Sequence, residues 1–137
     1  MTKMSDTVAG AARRLVGVGF RPQGRDPVEG VDCVGVVVAA LASVGYRVDA
    51  PDDYTQRGAD VDRIMRAMAA AGLRRVEGGH SGAGDILLMK AGPAQLHLGI
   101  ATEAGMVHAH AGLRRVVETP GVPPWPVLGR WRLGEAR

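Results

Sequence analysis

The stretch "VDCVGVVVAALASVG", residues 31 to 45, decides the fold. Its three consecutive valines, Val36 to Val38, suit a buried strand by propensity. Its length argues otherwise, since about a dozen nearly all apolar residues, Cys33 to Val44, are long for a strand and normal for a buried helix. Asp32 is positioned to cap the N-terminus of that helix and Gly45 its C-terminus. Read so, the stretch puts Cys33, the only cysteine of the chain, in the first turn of a helix. There the unpaired backbone N–H groups and the helix dipole favour a thiolate. Free cysteine is also among the most buried residue types and is usually inert. Position alone therefore leaves Cys33 open as a nucleophile or a core filler.

Working outward, residues 5 to 17 form a short helix with Ser5 or Asp6 as N-cap and Val8, Ala11, Ala12 and Leu15 on one face. A third helix opens at Asp60, carries Val61, Ile64, Met65 and Met68 on one face, and closes at Gly72. The second half changes character. "DILLMK" (85 to 90), "LHLGIAT" (96 to 102), "MVHAHA" (106 to 111), "RRVVE" (114 to 118) and "VLGRWRL" (127 to 133) read as strands, separated by "AGPAQ", "EAG", "GL" and the proline-rich "TPGVPPWP". The expected class is α+β: N-terminal helices packed on one side of an antiparallel meander.

At 137 residues the chain has the length of one domain, 1 to 137, able to bury a core. No apolar run approaches the roughly 18 residues of a membrane span, so no membrane insertion is expected. Two arginines interrupt the N-terminal apolar residues, and no export signal is read there. One cysteine forms no intramolecular disulfide, so stability must come from packing. The net charge of +3 comes mostly from scattered arginines, with Lys3 and Lys90 the only lysines, and the aromatics are one Phe, two Tyr and two Trp. That lacks the basic stripe and stacking groups of a nucleic-acid binder.

Strand alternation then assembles a candidate site. Leu96, Leu98 and Ile100 face the core, which leaves His97, Gly99 and Ala101 on the other face, and the same rule groups Met106, His108 and His110. A tight hairpin pairing Thr102 with Gly105 sets Gly99 opposite His108 and His97 opposite His110. Three histidines thus share a face with small residues that leave room for a substrate. An imidazole near Cys33 would complete a thiol nucleophile. His80 in "EGGHSGAG" reads as a structural or surface histidine. Zinc is a poor match, since H-x-H with one distant cysteine lacks the paired spacing of structural sites.

The order and context of these residues resemble the NlpC-type cell-wall peptidases, a papain-like cysteine peptidase family. The matching elements are "GF…GVDCVG" around Cys33, "GDILLM" at 84 to 89, "HLGIATEAGMVHA" at 97 to 109 and the following "RRVVE". The resemblance covers essentially the whole chain. Within the family it is most similar to the compact branch encoded among tail genes of phages and gene transfer agents, through "QGR…GVDC", "AAGLRRV" and a Pro/Trp segment before "GRWRL".

The resemblance implies a papain-like fold with Cys33 as nucleophile, His97 as general base and His108 as the third group, which orients His97. The simplest hairpin favours His110 as the partner of His97, whereas the family pattern selects His108 and leaves His110 as a rim or substrate contact, with Phe20 and Asp32. It further implies hydrolysis of an amide bond in a peptidoglycan stem peptide, usually that between γ-D-glutamyl and the following diamino acid. No metal or cofactor is called for. Phage-like tail proteins would be partners, with synthesis in a bacterial cytoplasm, assembly into a particle and action in the cell wall. Val34 stands where the family often has Ser, and Phe20 where it often has Tyr. The lost hydroxyl bears on substrate preference or rate, and the rival expectation is an inactive tail adaptor or plug that keeps the fold. Lipid acyl transferases on related folds place histidine before cysteine, the reverse of the order here. Arg21, Arg25, Arg114 and Arg115 neighbour the motifs and are candidates for holding substrate carboxylates.

Overall fold

In a computed structural model the described residues are 4–49, 61–78, 81–93 and 95–133. Asp60 and His80, and the expectations attached to them, lie outside these. The elements are α1 (Met4–Arg13), β1 (Arg25–Asp26), β2 (Gly30–Val31), α2 (Cys33–Ser43), α3 (Val61–Ala70), β3 (Leu73–Arg75), β4 (Ile86–Gly92), β5 (Gln95–Ala101), β6 (Gly105–His110), β7 (Arg115–Pro120) and β8 (Val127–Leu133).

Residues 33 to 43 are helical, as their length requires. The helix is apolar on nearly every side, and Cys33, Val34, Val36, Val37, Ala40 and Leu41 are all buried. Such a helix must lie at the centre of the core. It packs against α1 on one side and against β5 and β6 on the other. Val8, Ala11 and Ala12 of α1, Ile64 and Met68 of α3, and Leu98, Ile100, Val107, Ala109 and Val116 of the sheet complete one apolar cluster around it. Gly45, at φ +90, turns the chain out of the helix.

The main sheet has six strands in the order β3-β8-β4-β5-β6-β7. The run β4 to β7 is the expected meander, but β8 does not extend it. It returns to the far side of β4, Ile86 opposite Trp131, and so becomes an interior strand between β4 and β3. The anchor is electrostatic as well as apolar. Asp85, fully buried, receives two hydrogen bonds from Arg132, 2.6 Å from Nε and 2.8 Å from Nη2, and a third from the Gly82 N–H at 2.8 Å. Helix α1 ends at Arg13 rather than at residue 17. Its last turn tightens to bonds such as Leu15 N to Ala12 O, and the Gly17 N–H is taken by Val116 O at 2.9 Å, which draws the chain onto β7.

Candidate active site

The N-terminal end of α2 is held by its cap. The Asp32 carboxylate accepts hydrogen bonds from Gly35 N at 2.8 Å and Gln23 N at 2.9 Å, and pairs with Arg25 Nη1 at 3.3 Å. It is buried and performs the capping expected of it, directed at the loop 23–25. The same loop explains the glycines of "QGR…GVDCVG". A Cβ at Gly35 would overlap the Gly24 carbonyl oxygen, so only glycine lets the helix approach the loop this closely. Gln23 adopts φ +59, a left-handed conformation its bond to Asp32 helps to hold. Phe20 is half-buried against the core and donates its N–H to Arg114 O at 3.0 Å. Cys33 itself is 2% exposed and belongs to the same cluster as Leu98, Ile100, Val107 and Ala109.

The histidines lie on the sheet face that alternation predicts. His97 pairs with Met89, and His108 with Val117, while Val107, Ala109 and Val116 point into the helix-side core. Pairing between β5 and β6 is limited to Ile100 with Val107 and Ala101 with Met106. The expected pairs of Gly99 with His108 and His97 with His110 do not form, because the strands part beyond the hairpin. The contact made instead is diagonal. His97 Nε2 lies 2.8 Å from His108 Nδ1, and the rings stand perpendicular with centroids 5.0 Å apart. His108 is thus the partner of His97. His110 sits beside His108, centroids 5.8 Å apart, and its Nδ1 accepts from Leu113 N at 3.0 Å.

Two further residues complete the arrangement. His108 Nε2 lies 2.8 Å from Thr119 Oγ1. Trp125 stands edge-on to both imidazoles, 5.2 Å from His97 and 5.9 Å from His108, and packs on the small cluster of Leu87, Met89, Ala101 and Met106. Sequence reading put both in a proline-rich connector. Extending alternation one residue past Glu118, from Val117 to Thr119, would have found Thr119, which lies opposite Met106 and so on the histidine face. The room expected over Gly99 is filled: a Cβ there would overlap the Met106 sulfur and meet Met89 Cε at 3.4 Å.

Burial governs the electrostatics. His97 is lowered from 6.5 to about 4, first by desolvation and then by the neighbouring His108 and His110. His108 is likewise lowered to about 4, by desolvation and then by His110. Both imidazoles are therefore neutral at neutral pH, and one nitrogen of the His97–His108 pair donates while the other accepts. If His97 Nε2–H donates, its Nδ1 keeps a lone pair and can take a proton. Arg25 is paired with Asp32, and Arg21 with Glu29 at 3.4 Å. A surface groove of about 610 Å³ shares Leu87 and Ala101 with the cluster under Trp125, and Glu103 and Arg130 are among its other lining residues. Among the described residues no cluster of three His, Cys, Asp or Glu is arranged to hold a metal ion, and no helix is long and apolar enough to cross a membrane.

No protein-family model matches the sequence, and no curated protein does. Solved structures do match in fold. The NlpC/p60 domain of the peptidoglycan hydrolase SagA superposes with a TM-score of 0.60 at 23% identity, covering 85% of this chain and 88% of that one. RipB, a peptidoglycan hydrolase of Mycobacterium tuberculosis, gives 0.61 at 21% identity over 95% of this chain and 64% of that one. NlpC1 of Trichomonas vaginalis gives 0.68 at 16% identity, and this chain covers 96% of itself but 46% of that protein. The chain has the α+β fold of NlpC/p60 domains, helices on an antiparallel sheet.

Proposed function

We propose that the chain is a cysteine peptidase hydrolysing amide bonds in peptidoglycan stem peptides, with Cys33 as nucleophile, His97 as general base and His108 orienting it. The observation that carries this reading is the 2.8 Å bond from His97 Nε2 to His108 Nδ1. It orients one imidazole by another on a fold shared with domains of peptidoglycan hydrolases. Helix α2 supports it by packing on the two strands that carry these histidines.

In the reaction, Cys33 Sγ attacks the carbonyl carbon of the amide as its proton passes to His97 Nδ1. Backbone N–H groups at the start of α2 hold the developing oxyanion. His97 returns the proton to the leaving amine, the C–N bond breaks and a thioester remains. Water, deprotonated by His97, attacks the thioester, and the carboxylic acid leaves as the thiol is restored. The low value at His97 leaves that imidazole neutral at rest and free to take a proton. Proton transfer then accompanies attack. The bond we assign is that between γ-D-glutamyl and the following diamino acid, and the setting is a phage-like or gene transfer agent tail. The chain would be made in a bacterial cytoplasm and would act on the wall with tail proteins as partners. The bond rests on what is usual in the family the sequence resembles, and the tail setting on the "QGR…GVDC", "AAGLRRV" and Pro/Trp resemblances.

One observation favours a second reading, an inactive tail adaptor: Cys33 is 2% exposed, as a core filler would be. Alkylation separates the two. A nucleophile reacts with iodoacetamide near neutral pH in the folded protein and slows sharply in His97→Ala; a filler reacts only on unfolding.

A further inference from the structure

We propose that Thr119 is a positioning residue that fixes the tautomer of His108. Its hydroxyl oxygen accepts from His108 Nε2–H, which leaves the His108 Nδ1 lone pair facing His97 and makes Nδ1 of His97 the basic nitrogen. The direction of this chain rests on the peptidase reading; the chain itself rests on geometry. Two contacts of 2.8 Å in series, His97 Nε2 to His108 Nδ1 and His108 Nε2 to Thr119 Oγ1, use both nitrogens of a ring that is 2% exposed. A neutral imidazole carries one ring proton, so whichever group fixes one nitrogen dictates what the other offers. Water has little access to the buried ring to substitute for the hydroxyl.

Thr119 is well placed to impose that choice. Its backbone pairs with Met106 in the β6–β7 ladder, and the neighbouring turn is closed by Gly121 N to Ala104 O at 2.9 Å. Gly105 lets the strands come together there, since a Cβ would overlap the Thr119 carbonyl oxygen. A β-branched side chain on a fixed strand has few rotamers, so Oγ1 is held rather than recruited. In the reverse arrangement Thr119 O–H donates to Nε2, His108 Nδ1–H donates to His97 Nε2, and His97 carries its proton on Nδ1. That ring could not accept the thiol proton at Nδ1.

Long-range ¹H–¹⁵N spectra of wild type, Thr119→Val and Thr119→Ser near neutral pH test the proposal, together with the rate of Cys33 alkylation. Wild type should show His108 protonated on Nε2 alone. Thr119→Val should show exchange between tautomers and alkylate about tenfold more slowly, the scale of one lost buried hydrogen bond, and Thr119→Ser should restore both. A wild-type His108 protonated on Nδ1, or a Thr119→Val spectrum unchanged at His108, overturns the proposal. If His108 loses its single tautomer in Thr119→Val while wild type neither alkylates nor cleaves peptidoglycan, Thr119's hold on His108 is supported and the peptidase reading is the one that fails.

Discussion

Lowering the pH should unfold this protein through its two buried imidazoles. His97 and His108 both fall from 6.5 to about 4 on folding, chiefly because burial disfavours the charged ring. Between those values the unfolded chain binds protons that the folded chain does not, so stability is full above about pH 6.5 and is lost as pH falls toward about 4. Each shift corresponds to roughly 3 kcal/mol, and the pair to about 6 kcal/mol. That is a large share of the 5–15 kcal/mol typical of a domain. Urea unfolding followed by tryptophan fluorescence, repeated from about pH 7 to about pH 4.5, should give a free energy that falls steeply across the window, approaching about 2.7 kcal/mol per pH unit when both groups titrate. His108→Gln should flatten the slope by more than its own share, because it also removes the second-largest influence on His97. A free energy constant down to about pH 4.5, or imidazole titrations centred near 6.5 in the folded protein, would refute the reasoning.

Other perturbations follow from single contacts. Trp125→Ala should admit water to the edges of both rings and raise the His97 and His108 midpoints from about 4 toward 6.5, read by NMR titration. Gly35→Ala drives a methyl into the Gly24 carbonyl and should prevent stable folding, whereas Gly45→Ala, at φ +90 with open space around it, should cost only about 1 kcal/mol; thermal melts compare them. Arg132→Met leaves the Asp85 carboxylate buried without its partner and should destabilise by about 3–5 kcal/mol in urea.

What was legible in the sequence follows the range of each interaction. The length of the apolar run identified α2, and Asp32 caps it as the local pattern required. Period-two alternation put His97, His108 and His110 on one face because it depends only on neighbouring residues. The partner of His97 was not legible from the hairpin: the expected register holds at Ile100–Val107 and Ala101–Met106 but the pairing ends there, and it was the family pattern that selected His108. Thr119 and Trp125 were hidden for a related reason: a proline-rich segment reads as a connector whatever its side chains touch. The place of β8 depends on Arg132 meeting Asp85 across 47 residues, and no local signal names that pair. Gly99 misled because a missing side chain was read as open space, while methionines from the same face fill it.

The most direct test is digestion of purified peptidoglycan by wild-type protein and by Cys33→Ala, with released muropeptides identified by mass spectrometry. A cysteine peptidase releases fragments with wild type alone, and their masses identify the bond, expected between γ-D-glutamyl and the next residue. Absence of cleavage by wild type, with Cys33 unreactive until the protein unfolds, would contradict the account.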